Sequence, residues 1–325
     1  MPDIMGDMDI AFPHLGIYLK NVPKSFEVFG FRIAFYGVII GIGVLLAVLL
    51  VSKIADKTGQ DSDSYWDLSI YLIIFSIIGA RLYYVAFAWN TYKDNLISIF
   101  FIRNGGLAIY GGVIAGFLTL AVYVKIHKKS YRQMADTGVY GLVLGQLIGR
   151  WGNFTNREAF GQYTDSLLAM RLPKDMVRQN EIAESIASHI VQGTNYIQVH
   201  PTFLYESLWN LCLLILMLFY LKHKKFHGEI CLLYLGGYGL GRAWIEGLRT
   251  DQLLIPGTMV AVSQVLALCL VVAAVITDIA VRVRLHQNGG RLASDILVDE
   301  QNVRDLENKR KAAAEKQTEE KVKKN

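Results

Sequence analysis

Seven stretches of this chain are too long and too uniformly apolar for the core of a water-soluble domain, and they limit the fold more than any other feature. They lie near residues 33–52, 67–88, 106–126, 138–153, 208–222, 229–247 and 258–280. A bilayer core about 30 Å thick requires about 20 residues at helical rise. Inside it the backbone must satisfy its own polar groups, which a helix does within one segment. The hydrophobic share of 53% exceeds the roughly 45–50% of soluble domains. The expected fold is therefore all-α: a polytopic transmembrane helix bundle of seven spans, the fourth and fifth shorter than the rest.

Loop charge gives the orientation. Lys53 and Lys57, then Lys125, Lys128, Lys129 and Arg132, then Lys222, Lys224 and Lys225, then Arg282 and Arg284 fall in alternate connections. Basic residues gather on the cytoplasmic side. The N-terminus is thus expected outside and the C-terminus in the cytoplasm, and residues 89–105 and 248–257, poorer in Lys and Arg, lie on the outer side. Residues 1–32 read as an extracytoplasmic interfacial arm, because Phe12, Leu15, Ile17 and Tyr18 are spaced amphipathically. Residues 33–153 hold helices one to four, 154–205 a small extracytoplasmic head, and 206–281 helices five to seven. Residues 282–325 are Lys/Glu-rich and nearly free of aromatics. Such a composition does not stay folded alone, so a dispensable cytoplasmic tail is expected. No basic segment followed by a short apolar stretch and a small-residue cleavage site opens the chain, so no removable signal peptide is expected.

Some function classes drop out here. Cys212, Cys231 and Cys269 sit inside apolar runs without CxxC or Cys/His spacing, as core residues and not as a disulfide framework or metal site. The net charge of +5 is dispersed, which argues against a nucleic-acid partner. The absence of an internal repeat and of paired broken helices speaks against a transporter. Small residues at four-residue spacing, Gly37 to Gly41, Gly112 to Gly116, Gly145 to Gly149 and Gly237 to Gly241, suit close packing of membrane helices.

Ionisable side chains within membrane segments are expensive and mark functional sites by default. They cluster at the ends of the fourth run (Gly145 to Gly161) and the sixth (Tyr238 to Asp251), which face the same side under this topology. Arg242 and Glu246 are four residues apart and share a helix face with Arg249. Together with Arg150 they would form a permanently charged fork suited to a phosphate. The bland alternative is that Arg242 with Glu246, and Arg150 with Glu158, are buried ion pairs tying helices together. Arg81 either meets the same ligand or braces the bundle.

The run GRWGNFTNREAFG (149–161) resembles the signature of the prolipoprotein diacylglyceryl transferase family. Phe35-Tyr36-Gly37, the Gly105–Gly112 segment GGLAIYGG and the His200–Glu206 segment HPTFLYE resemble further family segments in the same order. The resemblance implies a bacterial cell membrane enzyme that moves the diacylglyceryl group of phosphatidylglycerol to the lipobox cysteine of a prolipoprotein signal peptide. A thioether forms, glycerol phosphate leaves, and no metal or organic cofactor is implied.

Under that resemblance Arg150 and Arg242 serve the headgroup and leaving phosphate, with Arg249 in support and Glu246 orienting Arg242. Asn153, Asn156 and Glu158 hold the glycerol head or the signature turn, Gly161 allows close backbone approach, and Tyr36 and Tyr238 line the site. Many family members carry a histidine where Tyr110 stands. A phenol is a poor base at neutral pH, so Tyr110 is a site-lining hydroxyl or an aromatic packed on Gly111 and Gly112, and the proton acceptor stays open. His200 is either a site residue or a hydrogen-bonded interfacial histidine.

Overall fold

Each of the seven apolar runs forms a helix in the computed structural model, which describes residues 4–102, 105–258, 260–287 and 289–324. In chain order the helices are α1 (Phe35–Lys57), α2 (Asp63–Phe87), the short α3 (Trp89–Tyr92), α4 (Ile109–Ile126), α5 (Tyr131–Asn156), the short α6 (Glu184–Ala187), α7 (Thr202–Tyr220), α8 (Glu229–Glu246), α9 (Val262–Gln287) and α10 (Ala293–Lys324). Among the described residues, α1, α2, α4, α7 and α9 are long and apolar enough to cross a membrane by length and composition. The other two long helices of the bundle, α5 and α8, are diluted by polar residues, and they are the helices that carry Arg150 and Arg242.

The chain divides into two compact units. One comprises Met1–Ala47, Val139–Lys225 and Glu229–Gly290; the other comprises Val48–Gly138, Phe226–Gly228 and Arg291–Asn325.

The first unit contains a sheet that the all-α expectation lacked. Strands β1 (Ile10–Phe12), β2 (Ile17–Leu19), β5 (Met170–Pro173) and β6 (Tyr196–Val199) form an antiparallel sheet in the order β2-β1-β5-β6. The arm and the segment 154–205 are therefore one structure. An inner strand three residues long, with Ile10, Ala11 and Phe12 all buried, shows no alternation, so its sequence could not be distinguished from an amphipathic arm. Its core joins Ile10, Phe160, Leu172, Ile197 and Val199, each 1% exposed or less. A second hairpin, β3 (Ser25–Val28) with β4 (Phe31–Ala34), turns through Phe29 and Gly30 at φ of 49° and 77° and runs directly into α1. Positive φ at both central residues matches the twist of flanking strands.

Arg157 fastens the arm. It is 2% exposed, and its guanidinium donates to the carbonyls of Met8 (2.7 Å), Val22 (2.6 Å) and Thr155 (3.2 Å). Asp9 closes the arm on itself, accepting from the Tyr18 hydroxyl (2.5 Å) and from the backbone N–H groups of Asn21 and Gly6.

In the second unit α2 and α4 cross at glycine. A Cβ on Gly111 would lie 2.3 Å from the Gly79 carbonyl oxygen, and one on Gly79 would lie 2.3 Å from the Ala115 Cβ. Of the four expected stripes, Gly37, Gly41 and Gly145 have no close neighbour of this kind, whereas Gly237 and Gly241 abut Leu213 and Trp209. Arg81 is a brace: it donates to the carbonyls of Ile99, Gly105, Gly106 and Ser98 at 2.7–2.9 Å and lies over the Tyr92 ring. The charged C-terminal segment is not a free tail. Within this unit α10 pairs Asp295 with Arg132 (2.7 Å), Asp305 with Lys129 (2.8 Å) and Lys309 with Asp61 (2.7 Å). Asp295 also accepts from the His227 backbone N–H. The charges that deny this segment a core of its own fasten it to neighbouring charges instead.

Replacing Arg157 with Met would take the guanidinium from the Met8 and Val22 carbonyls and leave Met8 only the Val22 N–H (2.7 Å). Hydrogen bonds to a charged group contribute about 1.5–3 kcal/mol each. The expected outcome is a lowered thermal midpoint with protease cleavage between residues 4 and 24, read by mass spectrometry. An arm as resistant as in the parent chain would show that Arg157 does not hold it.

Candidate functional site

Three helices of the first unit bring their polar residues to one place because their backbones are tied together. The Tyr140 hydroxyl of α5 donates to the Met217 carbonyl of α7 (2.8 Å), and Trp151 Nε1 donates to Ser207 Oγ (3.2 Å). Trp209 Nε1 of α7 donates to the Gly237 carbonyl of α8 (2.8 Å), over a glycine whose Cβ would collide with Leu213.

At this junction stands Glu206, on the first turns of α7 and 4% exposed. Its Oε2 lies 2.8 Å from Arg150 Nη2 of α5. Its Oε1 lies 3.2 Å from Arg242 Nη1 of α8 and 3.4 Å from Arg249 Nη1. Arg242 Nη2 is 2.5 Å from Glu246 Oε2, and Ser263 Oγ of α9 donates to the other oxygen of Glu246 (2.6 Å). Arg249 spends its fork on Asp251, with Nε and Nη2 donating at 2.9 and 2.7 Å. Burial alone would raise the Asp251 carboxyl, but Arg249 outweighs it and holds the group below the usual carboxylate range.

Arg150, Arg242 and Arg249 are thus balanced by Glu206, Glu246 and Asp251. The two readings of these residues are not exclusive. The arginines are paired, but Arg150 pairs with Glu206 and not with Glu158. Arg150 and Arg242 stay partly accessible, at 21% and 20% of side-chain surface, against 11% for Arg249. A guanidinium has five N–H donors, so both keep donors for an incoming anion.

Beyond Arg150 the helix ends in a polar turn. Asn153 and Asn156 donate through their amides to Glu158 Oε1 at 3.1 and 3.2 Å, and Arg150 Nη1 reaches Asn153 Oδ1 at 3.5 Å. Arg178 Nη2 meets the second Glu158 oxygen at 3.4 Å. Arg157 and Ala159 take positive φ here, which folds the chain back after α5. Gly161 is held between two backbones, donating to the His200 carbonyl (3.0 Å) and bridging to Arg249; a Cβ there would lie 2.7 Å from the His200 Cβ and 2.8 Å from the Leu248 oxygen.

Tyr36 of α1 lays its ring on Gly152, where a Cβ would approach within 2.5 Å. Tyr238 stacks on Tyr234, whose hydroxyl accepts from Gln146. His200 Nδ1 lies 3.2 Å from the Tyr205 hydroxyl, and burial pushes its imidazole below the usual value. Tyr110 belongs to the second unit, on the first turn of α4, 42% exposed.

A family model described as prolipoprotein diacylglyceryl transferase matches residues 23–280. The chain belongs to the prolipoprotein diacylglyceryl transferase family. It is 42% identical over 241 residues to the phosphatidylglycerol–prolipoprotein diacylglyceryl transferase of Clostridium botulinum (strain Langeland), covering 74% of this chain and 89% of that one. To the enzyme of the same name from Clostridioides difficile it is 38% identical over 255 residues, 78% of this chain and 93% of the relative. To that of Synechocystis sp. it is 39% identical over 262 residues, 79% and 88%. The family match begins in the arm and ends within α9, so α10 lies outside it.

Two residues central to this geometry escaped the sequence reading. Glu206 lies within HPTFLYE, where the resemblance leaves it without a site role, although a carboxylate opening an apolar helix is the kind of residue that the cost of intramembrane charge singles out. Arg157 lies in the family signature itself, and only the fold shows that it serves the arm.

Glu206→Ala should be severely destabilising, since removing one partner of a buried charge network costs about 3–5 kcal/mol. The readout is the thermal midpoint in detergent. An unchanged midpoint would mean that the three guanidiniums hold their places without it.

Proposed function

We propose that this chain transfers the diacylglyceryl group of phosphatidylglycerol to the lipobox cysteine of prolipoproteins, as the first step of lipoprotein maturation. The supporting observation is the convergence of Arg150 from α5 and Arg242 from α8 on the two oxygens of Glu206. The family membership and the names of the relatives point to the same transfer.

In this reading α1, α2, α4, α5, α7, α8 and α9 are seven spans of a bacterial cell membrane protein. The sheet with segment 154–205 is an extracytoplasmic head, the N-terminus is outside, and α10 is cytoplasmic. The helix ends bearing Arg150 and Arg242 then lie in the outward leaflet, within reach of a phospholipid headgroup.

The reaction forms a bond between the cysteine sulfur and the glyceryl carbon while the bond from that carbon to the phosphate oxygen breaks. The thiol proton passes to water before attack, and the bonding electrons leave with glycerol phosphate, whose freed monoester oxygen takes up a proton in turn. Arg150 and Arg242 grip the phosphate with their free donors and stabilise the negative charge that gathers on it. The same positive field favours thiolate over thiol. Glu206 and Glu246 set the angle of the two guanidiniums, and Arg249, committed to Asp251, braces the loop. Asn153, Asn156 and Glu158 form the rim that meets the glycerol head. Tyr36 and Tyr238 wall the site, and His200 with Tyr205 lines its edge.

Purified protein with phosphatidylglycerol and a lipobox peptide should add the mass of one diacylglyceryl group to the peptide cysteine. A lysine supplies a point charge in place of a bidentate fork. Arg150→Lys and Arg242→Lys should each slow transfer by about 100-fold or more, the loss seen when one preorganised donor to a developing anion is removed. Near-normal rates in these variants, at unchanged thermal midpoint, would assign both arginines to structure alone.

A further inference from the structure

The face of α8 turned away from Arg242 and Glu246 is left open. Glu229, Leu232, Leu233, Gly236, Gly237 and Leu240 recur at the three- and four-residue spacing of one helix face. They floor a half-open groove of about 520 Å³. Leu213 and Leu216 of α7 wall one side, and Val271 and Val275 of α9 wall the other. One end is ringed by Tyr220, Glu229, Asp278 and Arg282, and the other reaches Trp209 and Leu240.

We propose that this groove seats the apolar helix of a prolipoprotein signal peptide. The inference deepens the proposed transferase reading and rests on it for the identity of the partner.

Length is the first argument. From Glu229 to Leu240 the floor rises about 16 Å at 1.5 Å per residue. The apolar region of a signal peptide has about 7–15 residues, which as a helix spans the same order of length.

The floor is the second. A Cβ on Gly236 would meet nothing nearer than the Ala274 Cβ at 3.9 Å, so no side chain fills the space above it. Small residues on a membrane helix let another backbone approach closely.

Charge is the third. Among the residues that line this end Glu229 and Asp278 share one cation, Arg282, whose guanidinium donates to Glu229 (2.5 Å), Asp278 (2.6 Å) and the Tyr220 hydroxyl (3.0 Å); Glu229 is buried and also accepts from the Lys225 N–H, so Asp278, 30% exposed, is the carboxylate open to the groove. Lys222, Lys224 and Lys225 do not line the groove. Two carboxylates for one guanidinium suit the positively charged segment that precedes a signal peptide's apolar region. A lipid tail brings no such cation.

At the far end Trp209 lies one helical turn from Glu206 on α7, so the seated helix delivers its trailing cysteine to the end of the bundle that carries the arginines.

Cys212 lines the groove, whereas Cys231 and Cys269 do not. The test uses full-length protein in phosphatidylglycerol vesicles and a signal peptide whose lipobox cysteine is replaced by serine, with one cysteine set at the middle of its apolar region. Mild oxidation should join that peptide to Cys212 in a Cys231→Ser/Cys269→Ser variant. It should not join it to Cys269 in a Cys212→Ser/Cys231→Ser variant. With a reactive peptide, Gly236→Leu should raise KM for the peptide about tenfold, equivalent to about 1.4 kcal/mol, and leave kcat and KM for phosphatidylglycerol unchanged. Asp278→Asn should raise KM for a peptide with a lysine-rich leading segment but not for a neutral one.

Absence of the Cys212 adduct, or equal joining to Cys269, overturns the proposal. So does a Gly236→Leu effect confined to KM for the lipid, which would make the groove a lipid tail site. Joining to Cys212 without any transfer by the unaltered protein would leave the seat standing and sink the transferase reading instead.

Discussion

The structure of the first unit hangs on one carboxylate. Glu206 sits where α5, α7 and the end of α8 meet, and its two oxygens are shared among three guanidiniums. Like charges packed this closely in a poorly hydrated place repel strongly, and no arrangement of apolar residues could hold Arg150, Arg242 and Arg249 together. With Glu246 and Asp251 added, the cluster is balanced, which allows it to exist where the apolar helix α7 meets α5 and α8. Balance also keeps it responsive: an anion entering the cluster meets guanidiniums that are already oriented and exchanges one set of oxygen partners for another.

Backbone proximity supports this charge geometry. Gly152 admits the Tyr36 ring against α5, Gly161 slips between the chain at His200 and that at Leu248, and Gly241 gives room to Trp209. None of these glycines contacts an ion, yet a methyl group at any of them would displace the segments from which the charged side chains project. Packing in a protein interior tolerates little added volume, so the site is set as much by missing side chains as by the arginines.

Much of this was legible in the residues. The apolar runs mark their helices because a continuous stretch of Leu, Ile, Val and Phe has few other ways to satisfy its backbone in hydrocarbon. Arg150, Arg242 and Glu246 stand out because charge in such a stretch is costly. What stayed hidden depended on partners far off in sequence. Residues 10–12 are too few and too uniformly buried to declare themselves as a strand, and only pairing with β2 and with Arg171 of β5 makes them one. Arg81 is as conspicuous in sequence as Arg150, yet it gathers four backbone carbonyls where Arg150 meets the Glu206 carboxylate, and its side-chain type alone does not distinguish the two. The last thirty residues have the composition of a free segment; opposite charges on Lys129, Arg132 and Asp61 give α10 its place.

The sheet also sets an order of assembly. Ala11 pairs with Arg171, and the Arg157 guanidinium closes over Met8 and Val22. The β1–β2 hairpin therefore lacks its β5 neighbour until α1 through α5 have been made and the chain beyond them has emerged. Contacts between residues so distant in sequence form slowly, because the intervening loop must close before they stabilise anything. Until then the edge of β1 that β2 leaves free keeps unpaired backbone groups, a template that any passing strand can join. Assembly is thus open to error while the arm waits for β5, and α5 must end correctly before the arm can be made safe.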